Sequence, residues 1–218
     1  MSKKTTVLCV SGKMQSGKNQ FADYLSEEIE ALELGKQKHD MFAGELKKGA
    51  YKDFKRLSNQ LISEYERLRD KYDEIAPELK DDIAWMDVNE SQFYEDKTLL
   101  TRALLQIYGT DIFCNRIDED YWAKQVMQHI EAATEQFIII TDTRFPNELQ
   151  LLQNNHNFRT IGIRIERDTG IECDHPSETS FDNFLEWDFI VDNNGSLKDL
   201  KESATAVIET LILDYKLK

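Results

Sequence analysis

The stretch VLCVSGKMQSGKNQFADYL, residues 7 to 25, constrains the fold more than any other part of the chain. Val7 to Val10 form a short apolar run that leads directly into Ser11 and Gly12. Gly12-Lys13-Met14-Gln15-Ser16-Gly17-Lys18 then fits the spacing G-x-x-x-x-G-K. After it, Phe21, Tyr24, Leu25, Ile29 and Leu32 recur at helical spacing, up to a stop expected at Gly35. A glycine loop between a buried strand and an amphipathic helix is the context in which this motif binds phosphate. Glycines let backbone N–H groups approach phosphate oxygens. The helix start adds unpaired donors and a positive dipole end. Lys18 supplies a point charge for the β- and γ-phosphates. Asn19 departs from the usual Ser or Thr, and its carbonyl oxygen is a hard ligand suited to Mg²⁺ or its waters.

Downstream, residues 37 to 43 read as a second strand. From Gly44, Leu46, Ala50, Phe54, Leu57, Leu61, Tyr65, Leu68 and Tyr72 give one long or two shorter amphipathic helices. Residues 73 to 97 are acidic and aperiodic. Leu100, Ala103, Leu104 and Ile107 share a helix face that Gly109 is expected to end. Asp118 is placed to cap the next helix, which carries Trp122, Val126 and Ile130. Phe137 to Thr141 is an apolar strand closed by Asp142, whose carboxylate belongs near Mg²⁺ in the strand-then-acid pattern of nucleotide sites. Arg144 follows two residues later, with an ion pair to Glu148 or Asp111 as the plainer alternative. Pro146 starts a short helix. Thr160 to Ile165 form a fourth strand. It leads to Arg164 and Arg167 and into a polar run that reads as a lid over a phosphate site, with little core of its own. Trp187 to Val191 form a fifth strand. Asn193, Asn194 and Gly195 make a turn, and Ser196 with Asp199 is a capping box for the last helix.

Strands alternating with helices, with a phosphate loop after the first, predict an α/β fold with a five-stranded parallel sheet flanked by helices. A helical insertion is expected at about 45–97 and the lid at about 166–184, within a single domain over 1–218. Ligands in such sheets bind at the carboxyl ends of strands, where the loop, Asp142, Arg144, Arg164 and Arg167 all fall.

Charge narrows the partners. The formal net charge is −14 over 218 residues, which excludes a nucleic-acid polymer that needs a basic face. A small anion needs only a few local cations. The three cysteines show no zinc spacing, and Cys9 reads as inert core. No apolar run reaches membrane-spanning length, so a soluble, cytoplasmic protein is expected.

SGKMQSGKNQFADYL, HDMFAGELKKGAYKDF, TRALLQIYGTDIFCNRIDEDYW, IIITDTRFPNE, IGIRIERDTG and DHPSETSFDNFLEWDFIVDNNGSLKDL together resemble the bacteriophage deoxynucleoside monophosphate kinases. The resemblance implies the adenylate-kinase-like branch of P-loop folds and a homodimer. The implied activity is ATP-dependent phosphoryl transfer to a deoxynucleoside monophosphate (dNMP). On that reading Gly12, Lys13, Ser16, Gly17 and Lys18 hold the ATP phosphates, with Asn19 alongside. Asn19 and Asp142 take Mg²⁺. Arg102 and Arg144 hold the acceptor phosphate, and Arg164 and Arg167 close over the transferring group. Trp122 or Tyr121 stacks on a base, with a core aromatic as the plainer alternative. The alternatives are a phosphomevalonate or dephospho-coenzyme A kinase of the same branch, or a non-catalytic ATP-binding regulator.

Overall fold

A computed structural model describes residues 4–75, 93, 105, 107–171 and 176–215. Arg102, Cys173, residues 76–92 and most of the helix expected around residue 100 lie outside these. Five strands are described: β1 (Thr6–Gly12), β2 (Gln37–Asp40), β3 (Phe137–Ile140), β4 (Arg159–Glu166) and β5 (Phe189–Asp192). All pair in parallel, in the order β2-β3-β1-β4-β5. The sheet is the one expected from the alternation of strands and helices.

The chain separates into two compact units, one of residues 1–42 and 122–218 and one of Ala43–Tyr121. The first holds the sheet. Strand β1 is central, and its run is apolar without alternation because both faces are covered. Leu8 and Val10 pack on one side with Phe21, Leu25 and Ile29 of α1 (Lys18–Ala31) and with Leu200, Ile208 and Leu211 of the last helix. Val7 and Cys9 pack on the other with Val126, Ile130, Leu149 and Leu152. Cys9 is fully buried, and burial pushes its thiol up, so it is inert.

Several boundaries differ from expectation. Helix α1 ends at Ala31 rather than near Gly35, because Glu33 adopts a left-handed conformation (φ 52°) and closes it. Strand β2 stops at Asp40, since the Phe42 N–H is drawn to Asp142 Oδ1 (2.9 Å) and opens α2 (Phe42–Ile75). That helix is two helices joined at Leu68, whose φ and ψ are non-helical. Gly109 does not end a helix: it lies inside a π-helical stretch, Ile107–Cys114, where a Cβ would meet Leu46 at 2.8 Å. The Asp118 carbonyl accepts from the Tyr121 N–H (3.0 Å), at the turn that leads into the next helix. The Asp118 side chain accepts from Asp120 N–H (3.0 Å), and α3 (Tyr121–Ala132) starts beyond it.

In the unit Ala43–Tyr121, the Tyr108 hydroxyl donates to Asp53 (2.8 Å), and Phe93 packs between Tyr51 and Phe54. The last helix, α6 (Leu197–Tyr215), carries the expected capping box. Ser196 N–H donates to Asp199 Oδ2 (2.7 Å), and Asp199 N–H donates to Ser196 Oγ (3.3 Å). No helix among the described residues is long and apolar enough to cross a membrane.

Candidate active site

The loop from Gly12 to Lys18 leaves β1 and enters α1. Gln15 (φ 63°) and Gly17 (φ 93°) both lie in the left-handed region. Such alternation curls successive N–H groups into an anion-binding concavity. Helix α1 has no side-chain cap on its first turn, so its N-terminal donors are not satisfied by a capping residue. A Cβ on Gly12 would meet Ser16 Oγ at 2.3 Å and the Ile165 carbonyl at 2.8 Å. Ser16 is 1% exposed, and its hydroxyl has no hydrogen-bond partner among the described residues.

An anion already engages the loop. The Glu178 carboxylate accepts from Met14 N–H (2.7 Å), and its other oxygen lies 3.7 Å from the Arg144 guanidinium. Asp182 forms an ion pair with Lys13 (3.0 Å). Lys18 Nζ donates to the Lys13 carbonyl (3.1 Å). Burial pulls the Lys18 ammonium below the usual lysine range. The nearby charges divide: Glu178 and Asp142 favour the cation, and Arg144 and Arg164 oppose it. Two acids and two arginines therefore share the field of Lys18.

Glu178 and Asp182 reach the loop because their segment is anchored in the core beside β1 and β3 through Phe181. The run was expected to bury little. Instead α5 (Pro176–Thr179) leads to Phe181, which is 4% exposed and packs against Phe184 and Trp187. Arg164 is not at a loop entrance. Strand β4 extends to Glu166, so Arg164 is a buried strand residue that donates to Ser11 Oγ (3.2 Å) and faces Phe181 and Trp187. Arg167 is exposed beyond the strand, and Asn19 is exposed in the first turn of α1. Trp122 is half-buried in the first turn of α3.

Asp142 is 9% exposed at the end of β3 and accepts from Phe42 N–H. The next residues are fixed by α4 (Pro146–Gln153). Glu148 Oε2 accepts from the N–H groups of Arg144 (2.7 Å) and Phe145 (3.0 Å). Thus the backbone of Arg144, not its guanidinium, meets Glu148, and the guanidinium is left to point at Glu178 and Ser177. Asp111's side chain lies outside the described ones.

Burial pushes the Glu148 carboxyl up to about 8 from an ordinary 4.5, against the two N–H donors that favour its charge. Between those values the folded protein holds a proton the unfolded chain has lost, so this group's contribution to stability falls as pH rises. Glu148→Gln keeps an acceptor oxygen and cannot ionise. Urea unfolding from pH 4.5 to 8 should show the variant gaining on the wild type, by up to about 1.4 kcal/mol per pH unit. Parallel pH profiles would show that Glu148 is not the proton site.

A model of the deoxynucleotide monophosphate kinase family matches residues 50–204, more than half of the chain. The chain belongs to that family. The deoxynucleoside-5'-monophosphate kinase of Escherichia phage T5 is 31% identical over 83 residues, covering 36% of this chain and 33% of that protein. The alignment thus spans about a third of the relative's length. The family match covers Asp142, Arg144, Arg164, Glu178 and Asp182 but begins beyond the phosphate loop, whose reading rests on its own geometry. Within this family member, Glu178 and Asp182 had escaped sequence reasoning, because PSETSFDNF is polar in composition. The signal available was Phe181, Phe184 and Trp187 at spacings of three.

Proposed function

We propose that the protein transfers the γ-phosphoryl group of ATP to a deoxynucleoside 5′-monophosphate, giving the diphosphate and ADP. The observation that carries this reading is the carboxylate held by the loop. Met14 N–H, Lys13 and Arg144 already bind acids at 2.7 to 3.7 Å, and phosphate oxygens ask for the same donors with more charge. The orphaned Ser16 hydroxyl adds one more group that a phosphate oxygen would satisfy. Family membership favours the dNMP over the phosphomevalonate and dephospho-coenzyme A alternatives and over a non-catalytic regulator.

The chemistry asks little beyond placement. The acceptor phosphate has a second pKa of about 6 and is largely dianionic at neutral pH, so no general base is required. Lys18 and the N–H groups from Lys13 to Lys18 hold and neutralise the donor phosphates. Arg144 offers a planar fork to the acceptor phosphate, and Arg102 is proposed to share it. Arg164, fixed in β4, adds positive charge from beneath. Arg167, at the strand's exit, is proposed to close over the transferring group, and Trp122 to stack on the base. Magnesium fits the donor set: Asp142 presents hard carboxylate oxygen in the field of Lys18, and Asn19 adds an amide oxygen on the first turn of α1. When bound it would neutralise charge on the donor phosphates. The homodimer implied by the resemblance and the expected cytoplasmic setting belong to the same proposal.

The direct test is coupled ADP release with ATP and Mg²⁺, adding each dNMP and NMP in turn. ADP should appear slowly with ATP alone and much faster with at least one dNMP. Equal rates with and without every monophosphate would reject the kinase reading.

A further inference from the structure

Gly17 is the second glycine of the phosphate loop, and the space beside its Cα is not left for a phosphate. A Cβ there would lie 2.4 Å from the side-chain nitrogen of Asn193. Asn193 follows β5 directly and is 5% exposed. Its N–H extends the sheet by donating to the Glu166 carbonyl (2.8 Å). Its side-chain Nδ2 donates to the Ser16 carbonyl (2.7 Å). A carbonyl oxygen only accepts, so the amide must present nitrogen to it.

The turn that carries Asn193 is fixed on each side. Asn194 donates to Asp192 through its backbone (2.9 Å) and accepts from Asp168 N–H (2.9 Å). The capping box of α6 begins three residues on. Asn193 therefore meets the loop from a rigid frame.

The Ser16–Gly17 peptide is planar and trans, so its C=O and N–H point in opposite directions. Holding the Ser16 carbonyl outward aims the Gly17 N–H the other way. We infer that Asn193 is a positioning residue for ATP: its side-chain amide fixes the orientation of the Ser16–Gly17 peptide, and with it the phosphate-facing N–H of Gly17. The inference rests on the proposal that ATP binds this loop. It gives the glycine of the motif a second purpose, which is to admit Asn193.

The test compares two ligands by isothermal titration at fixed pH and salt, Mg²⁺-ATP and the dNMP that gives most turnover. Asn193→Ala removes the donor. Asn193→Asp keeps the shape, cannot donate, and serves if the alanine variant does not fold. Loss of a buried hydrogen bond that also reorients a phosphate donor should weaken ATP by about tenfold or more in either variant, with dNMP affinity within about twofold of wild type. Unchanged ATP affinity would overturn the inference, as would equal weakening of both ligands, which marks a purely structural residue. The wild type separates the two levels. If it binds no ATP, the reading of the loop falls and the inference with it. If it binds ATP, and Lys18→Ala weakens that binding, unchanged Asn193 variants reject the positioning role alone.

Discussion

Lys18→Ala should lower turnover by about 10²–10³-fold, the usual cost of removing one charge-stabilising donor from a dry site. Lys18 opens α1, and its ammonium donates to the Lys13 carbonyl of the loop. It is set between two acids and two arginines, and a ligand that brings several negative charges at once is expected to draw on that cation. Alanine is a good residue for a first helical turn, and the side chain is not part of either hydrophobic cluster. Melting temperature should therefore change little while kcat collapses. A variant with near-normal turnover would remove this loop from the active site.

Arg144→Ala should reduce kcat/KM for the dNMP by roughly 100-fold or more, through lost positioning of the acceptor phosphate. Its side chain is 45% exposed and stands 3.7 Å from Glu178. An ion pair that open contributes about 0–1 kcal/mol to stability. The backbone contact with Glu148 survives truncation, so the Asp142-Thr143-Arg144 segment keeps its course. ATP affinity and melting temperature should move little beside the loss in dNMP use. The reverse pattern, a clear fall in melting temperature with wild-type KM for dNMP, would reject the clamp and promote Arg102.

What could be read from the chain alone follows from how local each signal is. The strands β1 and β3 are buried on both faces and write themselves as apolar runs. The phosphate loop is contiguous, and Ser196 and Asp199 are three residues apart, so their chemistry is visible in a short window. Asn193 and Ser16 are separated by 177 positions, and Asn193 in N-N-G looks like nothing more than a turn. Glu178 was hidden for a related reason. An acid that serves a distant loop carries no periodicity, and its anchor Phe181 contributes one apolar residue to a polar stretch. Gly109 misled in the opposite sense: the residue that usually stops a helix here lets Leu46 approach a π-helical turn.

Length variation among related chains should be distributed unevenly because of the pairing of β1 with β4. Ser11 stands opposite Arg164 and Gly12 opposite Ile165, so the contact between the Arg164 guanidinium and the Ser11 hydroxyl depends on the residue count from Arg159 onward. One extra residue inside that strand would carry Arg164 to the opposite face of the sheet and tear a positive charge out of the site. The connection just before it, around His156 and Asn157, is exposed and polar, and surface connections absorb added residues at small entropic cost. Insertions are therefore expected to gather before Phe158 and to be absent between Arg159 and Arg164, a pattern that indel scanning of the gene can read directly from surviving clones.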